Sequence, residues 1–361
     1  MTDSRIRSIA ISTGGGDAPG VNAVIRATVL AAENRGWECW GIRDGYHGLL
    51  EPQAYDGEGM VRLTRQRVSG IAHLGGTILG TTNRGDPLRF PVTQADGSVL
   101  EVDRGDELVA KLKAHGCDAL VAVGGDGSLA IACELGRRGL RIVGVPKTID
   151  NDLERTAMTF GFDTAVSFAT ECLDRLHSTA ASHHRIMVVE VMGRDAGWIA
   201  LEAGIAGGAH VILIPEIPFT IESVCKFVKQ RESYGKRFTI MVVAEGVKLP
   251  LELKENRRAG SVGNLIGHAI ASSANKEVRI SVLGHIQRGG TPTAYDRILA
   301  TRFGVAAVDL IAQGGFGRMV CLRNERIEAV DIAQAIGKLK TVDPNGQLVQ
   351  TAKAIGISFG D

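Results

Sequence analysis

The stretch that most constrains the fold runs from Asp118 to Asp152, DALVAVGGDGSLAIACELGRRGLRIVGVPKTIDND. Two short apolar runs, Asp118–Val123 and Arg141–Val145, each open into a loop of small and acidic residues. The first loop is Gly124-Gly125-Asp126-Gly127-Ser128; the second is Pro146-Lys147-Thr148-Ile149-Asp150-Asn151-Asp152. About one helix of sequence, Leu129–Arg138, separates the runs. Such a strand–helix–strand unit has parallel strands, so both loops leave the same edge of the sheet. Open α/β sheets bind ligands at that edge. The chain is therefore expected to be an α/β protein with a glycine cradle, a hydroxyl, a lysine and three carboxylates along one edge.

Those residue types point to phosphoryl transfer. Glycines let backbone approach a polyphosphate closely, and the following helix directs its N–H groups at the anion. A carboxylate repels phosphate, so Asp126 and Asp152 make sense as groups that hold Mg²⁺. Asp150 is a candidate to take a proton from an attacking hydroxyl. Glycine-rich turns after parallel strands are common, and GGDGS alone would not carry this assignment; the second loop does.

With 361 residues, the chain is long enough for two lobes with separate cores. A formal net charge of +1 provides no field that would draw it to nucleic acid or a membrane. Cys39, Cys117, Cys133, Cys172, Cys225 and Cys321 are scattered without a CxxC or a metal-ligand spacing, as expected of free thiols in a reducing cytoplasm. The start, MTDSRIRS, has no apolar signal core, and no apolar run reaches the length of a membrane span. A cytoplasmic location is expected.

Along the chain, Ile6–Thr13 is a first buried strand, leading through GGGDAPG to a helix from Val21 to Asn34. Trp37–Arg43 is the next strand. Gly75–Arg84 is a small-residue loop, and Pro87–Arg104 is a polar surface excursion. Asp106–His115 is helical. Asp163–Thr179 is a helix, Ala180–Arg185 a polar turn, and Arg185–Met192 a strand. Further strands lie at His210–Ile214, Phe238–Ala244 and Arg279–Leu283. Helices lie near Glu222–Glu232, Asn264–Ala274 and Ala294–Ala312. Lys248–Gly260 is a charged loop, and the residues after Ala312 are a C-terminal trim. This alternation predicts two lobes with mainly parallel sheets.

Several strands of the second half end in a polar side chain, namely Arg194, Glu245, His285 and Arg288. Arginine binds phosphate in bidentate fashion, while glutamate and histidine hold sugar hydroxyls. Singly each is an ordinary rim residue; together they suit a sugar phosphate. Arg185 and Arg279 begin strands, at the opposite edge, where they could serve a neighbouring subunit's site.

Taken together, GGGDAPGVNAVIR, GGDGS, PKTIDND, the SHHR turn, VVEVMGR, VVAEG and LGHIQRGGTPTAYDR resemble the 6-phosphofructokinases in family order, over about residues 6–325. The resemblance implies two Rossmann-like lobes with the active site in the cleft between them. Residues 1–162 and about 287–345 would form the donor-binding lobe. Residues 163–286 and about 346–361 would form the sugar-phosphate lobe. It implies transfer of a phosphoryl group to the 1-hydroxyl of fructose 6-phosphate, with Asp150 as general base and Asp126 and Asp152 as magnesium carboxylates. Gly16, Asn83, Arg84, Gly125, Asp126, Gly127 and Ser128 match donor-binding positions. Thr148, Met192, Gly193, Arg194, Glu245, His285 and Arg288 match the sugar-phosphate site. Arg185 and Arg279 match arginines that reach in from a neighbour, so a homodimer or homotetramer is implied.

The family divides between ATP and pyrophosphate as donor. Pyrophosphate users typically carry aspartate where this chain has Gly127, and the open glycine favours ATP. Lys147 replaces the glycine of regulated bacterial ATP enzymes and could contact the departing phosphate; it is typical of pyrophosphate users and of a mixed subgroup. GIRDGYHGLLEP and KTVDP also look like that subgroup. Where many members read LGSAR, this chain reads LGTTN, and Arg84 follows one place later as the candidate for the transition-state cation. At the family's effector site Arg26, Arg65 and Lys236 remain. Leu30, His177 and Tyr234 stand where basic residues would be expected, so weak or absent allostery follows. NAD and diacylglycerol kinases share the GGDG loop but lack TIDND together with MGR and GHIQRGG. A non-catalytic sensor on this fold would be expected to lack the base or a metal carboxylate, and all three carboxylates are present.

Overall fold

A computed structural model describes residues 6–82, 85–254 and 260–361. Its strands are β1 (Ser8–Thr13), β2 (Glu38–Ile42), β3 (Met60–Leu63), β4 (Phe90–Thr93), β5 (Val99–Val102), β6 (Ala119–Gly124), β7 (Ile142–Pro146), β8 (Ile186–Val191), β9 (Val211–Leu213), β10 (Thr239–Ala244), β11 (Val278–Val282), β12 (Arg318–Arg323) and β13 (Arg326–Asp331). Contacts divide the chain into two units. One comprises Met1–Ile149, Leu153–Gly161 and Arg288–Lys338; the other comprises Asp150–Asp152, Phe162–Gln287 and Leu339–Asp361. Phe162 and Gln287 belong to the second unit in this division. Asp150–Asp152 and residues 339–345 fall in the second unit, because the segment after Lys338 is hydrogen-bonded to the 150–152 loop.

The first unit holds a seven-stranded sheet in the order β13-β12-β7-β6-β1-β2-β3. Its five inner strands, β12, β7, β6, β1 and β2, are parallel, and each edge carries one antiparallel strand, β13 or β3. β1, β6 and β7 are buried along their whole length. A continuous apolar run such as ALVAVG is what a strand covered on both faces requires, and in SIAIST the small hydroxyl residues Ser8, Ser12 and Thr13 are buried with the isoleucines. The second unit holds the parallel four-stranded sheet β11-β8-β10-β9, in which β8 and β10 are likewise wholly buried.

Four expectations are corrected. The polar 180–185 turn is helix as far as His183: the helix spans Phe162–His183, with Ala180 fully buried and the serines and histidines on its exposed side. It stops at His184, whose φ is +56°. The 87–104 excursion contains the hairpin β4–β5. The 248–260 loop contains a short helix, Leu251–Lys254. The C-terminal trim supplies β12 and β13, where Met319, Val320 and Cys321 are buried. β3 and the helix Trp198–Ala206 were not anticipated.

Candidate functional site

Three loops of the first unit leave the carboxyl ends of the adjacent strands β7, β6 and β1. They are knitted together by backbone bonds. Gly14 N–H donates to the Val123 carbonyl at 3.0 Å, and Lys147 N–H donates to the Gly124 carbonyl at 3.0 Å. The approach is so close that a Cβ on Gly14 would lie 2.7 Å from the Ser128 hydroxyl oxygen. Gly15 adopts φ +77°, a conformation that a side chain would disfavour. The Thr81 hydroxyl donates to the Gly15 carbonyl and so ties the Gly75–Thr82 loop to the same place.

Two cations converge on this loop. The buried Lys147 ammonium donates to the Gly16 carbonyl. The Arg288 guanidinium donates to the Asp17 carbonyl at 3.1 Å, and it occupies the space that a Cβ on Gly16 would need. Asp126 opens the helix Asp126–Arg137, and its Oδ1 accepts the Gly337 N–H at 2.9 Å. The next residue, Gly127, is exposed, and a Cβ built on it would meet no described atom within 4 Å. Gly16, Gly125, Asp126, Gly127, Ser128, Lys147 and Arg288 are thus assembled on one face of one unit. Glycine backbone, a helix N-terminus and the Lys147 cation together suit a polyphosphate, and Arg288, expected among the sugar-phosphate residues, is bonded to the same loop. Asn83 and Arg84 lie outside the described residues.

In the second unit, Met192-Gly193-Arg194 follows β8. Gly193 has φ +140° and Arg194 φ +52°. An arginine in the left-handed region persists only where its surroundings hold it there. Here Arg194 N–H donates to Glu245 Oε1 at 3.0 Å, and Met192 N–H donates to the buried Gln287 Oε1 at 2.9 Å. Gly246 allows the Arg194 carbonyl to approach closely. Glu245 follows β10, and His285 follows β11 in the turn Gly284–Arg288. Arg185 and Arg279 stand at the opposite, amino ends of β8 and β11. Glu277 bridges them: it accepts from Arg185 Nε at 2.8 Å and pairs with Arg279. The hydrogen bond from Arg185 holds the Glu277 carboxyl below its usual range.

The loop Lys147–Asp152 is almost entirely withdrawn from solvent: Thr148, Asp150, Asn151 and Asp152 are buried. Thr148's carbonyl accepts from the Thr159 hydroxyl at 2.7 Å, and Asn151 adopts φ +52°. Among the described residues no group of three or more His, Cys, Asp or Glu side chains could by itself hold a metal. Mg²⁺ of the phosphate-bridging kind takes one or two carboxylates and completes its shell with substrate oxygens and water. Asp126 and Asp152 have the right donor chemistry.

Gln287 and Gly337 have no sequence signal of a role, and Lys340 opens KTVDP, a subgroup feature that assigns it none. Gln287 sits between two residues of the quoted LGHIQRGG motif. Nothing in the sequence links Lys340 to Asn151, 189 positions earlier.

A sequence model of the family Phosphofructokinase matches residues 8–311. The chain belongs to the phosphofructokinase family. An "ATP-dependent 6-phosphofructokinase 2" of Clostridium perfringens is 50% identical over 368 residues, covering 99% of both chains. A "pyrophosphate–fructose 6-phosphate 1-phosphotransferase" of Amycolatopsis methanolica is 49% identical over 349 residues, covering 93% of this phosphofructokinase-family chain and 96% of its own. Among solved structures, phosphofructokinase from Saccharomyces cerevisiae superposes with a TM-score of 0.75 at 31% identity, over 91% of this chain. The chain spans only 45% of the length of that yeast chain. No described helix is long and apolar enough to cross a membrane.

Proposed function

We propose that the protein is a glycolytic ATP-dependent 6-phosphofructokinase. It transfers the γ-phosphoryl group of MgATP to the 1-hydroxyl of fructose 6-phosphate, giving fructose 1,6-bisphosphate and ADP. The observation that carries the donor assignment is Gly127, where a side chain would meet open space beside the assembled phosphate loop. Overall similarity also supports ATP, since relatives named ATP-dependent are 50%, 49% and 48% identical over nearly the whole chain, beside one named for pyrophosphate at 49%.

Gly16, Asn83, Arg84 and Gly125–Ser128 bind the donor. Thr148, Met192, Gly193, Arg194, Glu245, His285 and Arg288 hold fructose 6-phosphate, and a neighbouring subunit's Arg185 and Arg279 complete the site in a homodimer or homotetramer. Asp150 accepts the proton as the sugar oxygen forms its bond to phosphorus and the bond to the ADP oxygen breaks. Lys147, Arg194 and Arg84 offset charge on the moving group. Asp126 and Asp152 would hold Mg²⁺, which would supply further charge neutralisation when bound. The burial of Asp150 keeps bulk water from competing for its proton.

Pyrophosphate is the second reading, favoured by the Lys147 ammonium that bonds the Gly16 carbonyl at the phosphate loop. Initial rates with fructose 6-phosphate and Mg²⁺, ATP and pyrophosphate side by side, test the choice. Turnover with ATP alone supports the assignment. Turnover with pyrophosphate alone overturns it.

A further inference from the structure

We infer that Lys340 is a positioning residue for the Asp150–Asp152 loop. The inference rests on the assignment of Asp150 as the base. Asn151 sits between the two carboxylates in a left-handed conformation, φ +52°, and all three residues are buried. Such a backbone needs its surroundings to define it, and its orientation decides where Asp150 and Asp152 point.

Lys340 grips this loop twice. Its backbone N–H donates to the Asp152 carbonyl at 2.8 Å, and its ammonium donates to Asn151 Oδ1 at 2.9 Å. A charged donor makes this bond stronger than a neutral one would. Lys340 is itself held in place. Trp198 Nε1–H donates to the Lys340 carbonyl at 2.8 Å, and the ammonium lies 5.7 Å from the centre of the Trp198 ring. Two residues on, Val342 N–H donates to Glu216 Oε1 at 2.9 Å, and the same oxygen accepts Gly197 N–H at 2.9 Å. Glu216 therefore fastens the 340–342 strap to the start of the Trp198–Ala206 helix, and Lys340 passes that rigidity to Asn151. The neighbouring carboxyl is Glu202, pushed up to about 7 by burial, with the Lys340 charge opposing the rise and Asp163 adding to it.

The test uses the full-length enzyme. Lys340→Met keeps an apolar stem over Trp198 and removes the donor to Asn151. It should lower kcat about tenfold to a hundredfold, the scale of a slightly misplaced catalytic group. KM for fructose 6-phosphate and for ATP should stay within about twofold. Lys340→Arg should recover most of the loss, and Lys340→Met with Asn151→Ala should be no slower than the slower single variant. Unchanged kcat in Lys340→Met, or losses that multiply in full in the double variant, would overturn the inference. If Lys340→Met does not fold, Asn151→Ala alone decides: kcat must fall while KM holds, and a wild-type kcat overturns the inference. Asp150→Asn is measured alongside. If it is inactive and Lys340→Met is fully active, only this inference falls; if Asp150→Asn itself turns over normally, the assignment of the base falls.

Discussion

Gly127→Asp isolates the feature on which the donor assignment depends. Gly127 is the second residue of the Asp126–Arg137 helix, exposed, with no described atom within 4 Å of a Cβ placed there. Its φ lies outside the left-handed region, so an aspartate fits without backbone strain. Replacing glycine in a helix gains a few tenths of a kcal/mol. A carboxylate in the first turn gains roughly another half through the helix dipole, partly cancelled by Asp126 next door. The unliganded fold should therefore hold its stability to within about 1 kcal/mol, or about 3 °C in Tm for a chain of this size. With ATP bound the balance reverses. A carboxylate about 5 Å from one phosphate charge is repelled by ~1–3 kcal/mol at effective dielectrics between those of water and a protein surface. Added to the lost volume, that predicts a fall of roughly tenfold to a hundredfold in kcat/KM for ATP. Gly127→Ala, with a methyl and no charge, should lose less than about tenfold. Steady-state kinetics with ATP varied and a thermal melt of the free protein make the measurement. Wild-type kcat/KM for ATP in Gly127→Asp would show that the donor never enters this space. A melt lowered by more than about 5 °C would show that the space is not open.

Asp150→Ser should lose orders of magnitude in kcat while the protein still binds fructose 6-phosphate, measured by calorimetry; retained turnover would remove Asp150 as the base. Arg185→Ala and Asp150→Asn, inactive separately, should recover about a quarter of wild-type activity when co-expressed, since half the dimers are hybrids and each has one intact site. No recovery in purified hybrids would confine each site to one chain. Fructose 6-phosphate saturation should be hyperbolic and indifferent to ADP. Leu30 and Tyr234 add no charge for an anionic effector, and His177 already has Nε2 on the Gly207 carbonyl at 2.7 Å; strong ADP activation of a sigmoidal curve would refute this. His210 is pushed down to about 4 by burial, then by Arg231, His177 and Lys236, and its Nδ1 accepts the Ile240 N–H at 3.0 Å. The unfolded chain protonates this ring below about 6.5 while the fold resists, so stability is lost as pH falls from there towards 4. In His210→Asn, which keeps an acceptor, Tm should fall less steeply over that window; an equal slope would clear His210 of the effect.

The parts of this molecule that sequence revealed are those where local chemistry and position along a strand coincide. GGDGS and PKTIDND follow β6 and β7, and the periodicity of the apolar runs suffices to put both loops at one edge. Arg185 and Arg279 were assigned to the far edge by the same logic, and the β8–β11 register brings them to a shared carboxylate, Glu277. What sequence could not reveal depends on long-range hydrogen bonds. Lys340 and Asn151 are 189 positions apart, and neither residue type announces a partner. The helix end at 180–183 is not legible in the sequence because serine and histidine resemble a turn in composition. Ala180, packed in the core, carries the helix through them. β12 and β13 were overlooked for a related reason: MVCL is too short to distinguish from an apolar loop until β7 offers it a parallel partner. Local pattern thus places the candidate groups on their loops, whereas the bonds to Asn151 and to Asp126 come from Lys340 and Gly337, in a segment of weak pattern. Lys340 is where that division has a kinetic consequence: if its bond to Asn151 sets the direction of Asp150, the rate of the reaction depends on a residue whose motif, KTVDP, marks a subgroup but names no partner.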